Sequence, residues 1–360
     1  MINVSLLGSC DAYEWNRVVE RSVQSSICHL WEWGEVLSST YGYQRYYLVA
    51  KQSGDLVGAF PLIHVKSILF GNRLISLPFC EYGGPVVDLE LNIRTAQDVI
   101  NKLLNASNRL GASLGVEYVE FRGISSSVEP RLLHSRGYVE LQGYVTFQVN
   151  LEKQKEVLWR SLNKKTRNAT RKAEKLGVEV VEGNRIEQLW AYYMLYLRTQ
   201  KRHGSPPHSY SWFKNLFETF CPQGKMKITL AKYKGESIAG IITFHWGNTI
   251  YWSSNVTDIE RRHLNPTNLL LWKTIEYGSD KHSKVLDLGR TRPNTTIHHF
   301  KKGWGGKEVK LSHFIHFSGR PKIPPDPSQR KYLYLSKFWS WVPLRASQYL
   351  GPRIVSDIAL

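Results

Sequence analysis

Two short segments hold residues whose types can do acid–base or electrostatic chemistry. Leu286-Asp287-Leu288-Gly289-Arg290 sets a carboxylate and a guanidinium at the end of an apolar run. His298-His299-Phe300-Lys301-Lys302-Gly303-Trp304 follows with two imidazoles and two amines. An Asp at a strand end can accept a proton or orient an amine. The plainer alternative is an ion pair between Asp287 and Arg290 that braces both. The histidines have the intrinsic pKa of a base, but adjacent histidines on a loop are more often exposed. As neighbours on a strand, Lys301 and Lys302 would point to opposite faces, so one alone can face a site. No Ser-His-Asp or Cys-His set with a supporting motif is present, which argues against a covalent intermediate. No spacing suits a metal, so no metal is expected.

A second chemistry-bearing stretch is basic. Ser161 to Leu176 reads as one helix stopped by Gly177, with Leu162, Thr166, Ala169, Ala173 and Leu176 as its buried stripe. On the other face, Arg167/Arg171 and Arg171/Lys175 are like-charge pairs. Each costs about 0.2–0.5 kcal/mol in an isolated helix. An anionic partner would offset that repulsion, so Arg167 and Arg171 are candidate phosphate ligands, with a merely solvated face as the alternative.

The elements that must position these groups occur twice. Ala50-Lys51-Gln52-Ser53-Gly54 and Ala231-Lys232-Tyr233-Lys234-Gly235 each read as strand, tight turn and returning strand. A helix follows each at some distance. Asn92 to Leu110 carries a stripe of Ile93, Ala96, Ile100, Leu103, Ser107 and Leu110; the other starts with Asn265 as N-cap and Pro266 at its first position. Each helix leads to an acidic strand ending in Arg, Val119-Glu120-Phe121-Arg122 and then Leu286 to Arg290. A final hairpin closes each copy, Gly137–Asn150 and Gly303–Phe317. The expected organisation is a first domain at 1–150, a second at 151–320 containing the basic helix 161–176, and a Pro-rich linker with a basic aromatic tail at 321–360.

Composition bounds the rest. The 360 residues are 42% hydrophobic and 12% aromatic, which excludes intrinsic disorder and suffices for two cores. A formal net charge of +18 favours anionic partners: nucleic acid, an anionic membrane face or phosphate-bearing substrates. Cys10, Cys28, Cys80 and Cys221 form no CxxC pair, and the first residues lack a basic signal-peptide start, so a cytoplasmic location is expected. No apolar run is long enough to span a membrane. In the tail, Lys and Arg alternate with Tyr, Phe and Trp. That pattern suits a membrane surface or docking on the body.

These landmarks resemble the FemAB-like, tandem GNAT-fold acyltransferases, in particular the branch often found with exopolysaccharide and exosortase gene clusters. The motifs are Trp31-Glu32-Trp33, Tyr47-Leu48-Val49-Ala50, Gly58-Ala59-Phe60-Pro61-Leu62, Leu77-Pro78-Phe79-Cys80-Glu81-Tyr82-Gly83-Gly84-Pro85, Leu286 to Arg290, and Phe300-Lys301-Lys302-Gly303-Trp304-Gly305. They run over about residues 30 to 315. The resemblance implies an α+β fold of two GNAT-like domains with mixed sheets flanked by helices and substrate in a cleft. It implies transfer of an acyl or aminoacyl group to an amine. Relatives that build peptidoglycan cross-bridges take the group from aminoacyl-tRNA; others are described only as GNAT-like acetyltransferases.

Acyl transfer to an amine passes through a tetrahedral oxyanion, which a fixed cation stabilises. By the resemblance that cation is Lys301, with Lys302 next to it in sequence; Asp287, at the strand end, is the candidate to accept a proton or orient the amine. Tyr251, Ser253 and Arg290 would orient the acceptor. Glu81 and Tyr82, in a turn whose glycines permit close backbone approach, would contact substrate. Donors that are CoA thioesters usually meet a Gly-rich loop before the helix. Here that stretch, Glu260 to Asn268, has no glycine, so Arg261 and Arg262 would have to grip a donor phosphate directly. Three readings follow. The first is aminoacyl or acyl transfer to an amine on a phosphate-bearing cell-envelope precursor, peptidoglycan or exopolysaccharide, at the inner membrane face, from aminoacyl-tRNA or acyl-CoA and with no bound cofactor. The second is an acyl-CoA-dependent acetyltransferase acting on an amino sugar or lipid-linked saccharide. The third is a non-catalytic RNA- or membrane-binding protein.

Overall fold

The computed structural model describes residues 1–7, 12–22, 24–123, 130–319 and 330–359. Cys10 and the prolines of the expected linker lie outside them. The chain divides into two compact units. One comprises Met1–Gly143, Leu311–Asp326 and Arg353–Leu360; the other comprises Tyr144–Lys310 and Pro327–Pro352.

The first unit carries strands β1 (Ile2–Leu6), β2 (Gln44–Gln52), β3 (Asp55–Ser67), β4 (Gly71–Ile75), β5 (Val86–Val87) and β6 (Tyr118–Arg122). Strands β1 to β4 pair in sequence order, antiparallel; β4 and β6 are parallel. The turn between β2 and β3 has positive φ at both Ser53 and Gly54, the twist that suits a tight hairpin. Helix Ile93–Ser113 begins where the Asn92 side chain accepts the Thr95 N–H at 2.9 Å. Its Val99, Ile100, Leu103 and Leu104 pack on Phe60, Leu62, Val119 and Phe121. Ile93, expected in that stripe, is 73% exposed because it stands in the open first turn.

The second unit repeats the order. Strands β7 (Tyr138–Asn150) and β8 (Glu179–Gly183) are followed by β9 (Met226–Tyr233), β10 (Glu236–Trp246), β11 (Thr249–Thr257), β12 (Val285–Asp287) and β13 (Lys307–Phe317). Strands β8 to β11 are antiparallel neighbours, and β11 and β12 are parallel, matching β4 and β6. Helix Pro266–Asp280 packs Leu269, Leu270, Leu271 and Ile275 into a core with Ile241, Ile250 and Leu286.

Four expectations need correction. The closing hairpins are instead single long strands, β7 and β13. Each passes from one unit to the other: the end of β7 pairs with β12, and the end of β13 pairs with β6. The basic helix is two helices, Lys155–Ser161 and Lys164–Lys175, because Leu162 is extended and Asn163 caps the second at Thr166 N–H, 2.7 Å. Gly177 stops it as expected, with φ +80, but Leu176 is 40% exposed rather than part of the stripe; Thr170 is buried there instead. Asn265 holds the N-cap position before Pro266, yet its backbone is left-handed (φ 54) and its side chain makes no cap bond.

Two histidines, His29 and His208, make stability depend on pH. His29 accepts the Ser26 N–H at Nδ1 (3.0 Å), and its Nε2 donates to the Gly84 carbonyl (3.0 Å), so it is held neutral. Burial lowers its pKa from 6.5 to about 4, and burial likewise lowers His208 to about 3. The unfolded chain takes up these protons at a higher pH than the folded one. The stabilisation is therefore complete above 6.5 and falls as pH drops towards 4, by about 3 kcal/mol for His29 alone. Denaturant midpoints measured from pH 8 to 4 should fall across that window; flat midpoints would refute it.

Candidate active site

Strand β12 ends at Asp287, whose side chain is 1% exposed. Its Oδ1 accepts the Thr146 hydroxyl at 2.5 Å and the Gly289 N–H at 2.8 Å; its Oδ2 accepts Gln148 Nε2 at 3.2 Å. The alternation of β7 arranges this. Val145, Phe147 and Val149 enter the core, so Thr146 and Gln148 point to the other face, where Asp287 pairs with Gln148 in register. Both carboxylate oxygens thus accept hydrogen bonds from neighbouring groups.

One of these groups, the Gly289 N–H, belongs to a turn. Gly289 has φ +69, and a Cβ there would stand 2.8 Å from the Trp252 carbonyl oxygen, so no other residue fits without strain. The turn presents the carbonyls of Gly289 and Arg290 to Lys301 Nζ, at 2.8 and 3.0 Å. Lys301 is only 6% exposed, and its Nζ lies 5.6 Å from the Trp252 ring centroid. Two carbonyl acceptors and an aromatic face offset the desolvation of a buried ammonium.

Lys301 does not lie on a strand, as the sequence reading had it, but on helix Thr296–Lys302. Thr295 caps that helix by accepting the His298 N–H at 3.2 Å. Helical rotation, not strand alternation, turns Lys301 inward and leaves Lys302 exposed. His298 is also on this helix rather than a loop, and is buried, with Nε2 3.1 Å from Glu308; His299 is exposed. Phe300 lies 6.3 Å from Trp252 and 6.0 Å from Trp304, which closes the helix against the core.

Arg290 lies 5.0 Å from the Tyr144 ring, with Arg292 at 5.2 Å and donating to the Tyr144 hydroxyl at 3.1 Å. Ser253 is exposed and is the extra residue of a bulge, since Thr243 pairs with Trp252 and Ile242 with Ser254. Tyr251 is half-buried on the same strand. Asp287, Arg290, Lys301 and this strand thus belong to one unit and share the turn at Gly289.

The other candidates sit elsewhere. Arg167 donates to the carbonyls of Arg160 (3.0 Å) and Leu162, closing the end of the preceding helix, and Arg171 lies 5.3 Å over Trp159. Arg261 and Arg262 lead into helix Pro266–Asp280, Arg262 exposed. The amides of Arg261, Arg262, Leu264 and Asn265 there bond to carbonyls of the same segment. Glu81 and Tyr82 lie in the other unit, both half-buried. Beside them Gly84 meets the Gly123 carbonyl so closely that a Cβ would be 2.6 Å away, a structural reason for that glycine.

Thr146, Gln148 and Tyr144 escaped the sequence reading. Their signal was polar alternation within Tyr144-Val145-Thr146-Phe147-Gln148-Val149, but only the register shows that Asp287 is the partner. Trp252 reads as plain strand packing in sequence; its indole N–H has no acceptor among the described residues.

Residues 160–302 match the family described as "Acetyltransferase (GNAT) domain". No curated protein matches. Among solved structures, FemX superposes with TM-score 0.70 at 15% identity, over 87% of this chain and 97% of that one. A tandem GNAT protein from the clavulanic acid biosynthesis pathway gives TM-score 0.58 at 11% identity, over 89% and 100%. L-PGS from Bacillus licheniformis gives 0.56 at 13%, over 92% and 97%. The chain thus has the α+β fold of tandem GNAT proteins, as its FemAB-like motifs implied, and the segment that is similar to an acetyltransferase (GNAT) domain includes Asp287 and Lys301.

Asp287→Asn tests the turn. An amide keeps one acceptor but turns an N–H towards a donor, so the bonds to Thr146, Gln148 and Gly289 cannot all persist. Turnover should fall about 10- to 100-fold with KM little changed. Unaltered turnover would remove Asp287 from the site.

Proposed function

We propose that this protein is an N-acyltransferase that moves an aminoacyl group onto an amine of a phosphate-bearing cell-envelope precursor. One observation carries the reading: an ammonium, Lys301, held in a buried, fixed place at the end of β12 by the carbonyls of Gly289 and Arg290. The amine attacks the acyl carbonyl, negative charge develops on its oxygen, and the leaving hydroxyl departs with a proton. A cation fixed before reaction stabilises that oxygen without reorganising. The Trp252 indole lies beside it. Asp287 keeps the turn in place, and Arg290, on the ring of Tyr144, faces the acceptor together with Ser253 at the bulge of β11.

The choice of an aminoacyl donor rests on the approach to helix Pro266–Asp280. Its amides are engaged within local turns, and the segment has no glycine, so it offers little of the amide cradle that a pyrophosphate needs. The similarity to a lysylphosphatidylglycerol synthetase domain from Agrobacterium fabrum (TM-score 0.55, 12% identity, over 84% of this chain and 91% of that one) fits transfer of an amino acid to a phosphate-bearing molecule. Arg261 and Arg262 would then meet phosphates of the donor's nucleic acid, and Arg167 and Arg171 those of the acceptor.

Two measurements test this. Lys301→Met should lower turnover about 10²- to 10³-fold with acceptor KM unchanged; unchanged turnover would remove Lys301 from the chemistry. Calorimetric titration should show charged tRNA binding more tightly than uncharged tRNA or acetyl-CoA. Tight acetyl-CoA binding with no preference for the charged tRNA would instead make the chain an acyl-CoA-dependent acetyltransferase.

A further inference from the structure

The last two helices, Arg330–Trp341 and Leu344–Ile358, carry a concentrated exposed apolar surface. Tyr334 is 74% exposed, Phe338 69% and Trp341 80%, and these three recur at one helical face. Leu335 and, on the next helix, Tyr349 and Leu350 are exposed as well. The opposite face is anchored to the second unit. Trp339 is 8% exposed, and the Ser336 hydroxyl donates to the His203 carbonyl at 3.1 Å. Gly204 (φ +62) and Gly351 permit this seating: a Cβ on Gly204 would come within 2.1 Å of the Ser336 carbonyl oxygen, and one on Gly351 within 2.3 Å of Pro207. The sequence offered two alternatives for this segment, packing on the body or meeting a membrane. The first helix does the former with one face and leaves the aromatic face outward.

We propose that this aromatic face docks on an anionic phospholipid surface. Charge decides the occupant. Residues 327 to 356 contain no Asp or Glu, while Lys337, Arg345 and Arg353 flank the aromatics and the chain as a whole carries +18. A second copy would bring a like-charged patch against this one, which disfavours self-pairing. Tyr and Trp rings seat at the headgroup level, Leu and Phe reach the acyl boundary, and Lys and Arg meet anionic headgroups. No helix among the described residues is long and apolar enough to cross a membrane, so contact would be on the surface. This inference stands apart from the choice of acyl donor.

The test is cosedimentation of the full chain with phosphatidylcholine vesicles made with and without phosphatidylglycerol. The chain should bind the anionic vesicles, bind the neutral ones weakly, and release as salt rises. Phe338→Ser combined with Trp341→Ser changes only exposed side chains, so the melting temperature should hold while partitioning falls about tenfold or more. Lys337→Glu with Arg345→Glu should lower binding to anionic vesicles alone. The proposal is overturned by the absence of vesicle binding, or by aromatic variants that bind as well as the parent. It is equally overturned by light scattering that shows self-association abolished by those variants without any vesicle binding. Acyl transfer to a soluble acceptor, read in parallel, reports on the catalytic reading independently.

Discussion

Everything in the site depends on one buried ammonium seated on two backbone carbonyls. Lys301 cannot hold that place by itself: a charge at 6% exposure needs acceptors. The acceptors come from a turn at Gly289 and Arg290, the turn needs a left-handed residue without a side chain, and Asp287 fixes it through the Gly289 N–H. Asp287 in turn is held by Thr146 and Gln148 on β7, a strand whose sequence begins in the other unit. Removing any one link shifts the cation relative to the end of β12, and shifts of about 1 Å suffice to lower rates substantially in sites of this kind.

The two repeats use the same strand end differently. In the first unit, β6 carries Glu120 and Arg122, joined at 2.7 Å and both buried. Arg122 also donates to the Ala359 carbonyl at 3.0 Å, and Arg73, beside it, to the carbonyls of Asp357 and Ile358. These arginines close the end of the last helix with charge-assisted bonds, a structural duty. In the second unit the corresponding strand carries Asp287, which accepts from Thr146, Gln148 and the Gly289 N–H, and Lys301 donates to the carbonyls of the turn that follows. The same strand end thus carries a buried ion pair in one copy and, in the other, a carboxylate that fixes the turn on which an ammonium is seated.

Much of this was legible in the sequence. The paired hairpins, the helices after them and the strand ending in Arg122 follow from turn residues and apolar periodicity, which are local signals, whereas the second such strand stops at Asp287 and leaves Arg290 in the turn beyond it. The tight turns at Ser53-Gly54 and Lys234-Gly235 needed no tertiary information. The exchange of β7 and β13 between units did not show, because alternation names a strand but not its partner. The helix around Lys301 was missed for a related reason: seven residues between a loop and a strand carry too short a period to separate helix from strand. The break at Leu162-Asn163 was readable in principle, since Asn163 is a good cap, but the continuous run of basic residues masked it. Leu176 and Ile93 show that a stripe's first and last members lie where the helix leaves its partner.

A double-mutant cycle in single-turnover acyl transfer tests the central claim most directly. If Asp287 acts only by holding the turn that seats Lys301, then adding Asp287→Asn to Lys301→Met should lower the rate little beyond Lys301→Met alone. If the two losses multiply instead, Asp287 and Lys301 act independently, and the carbonyl-seated ammonium is not what links them.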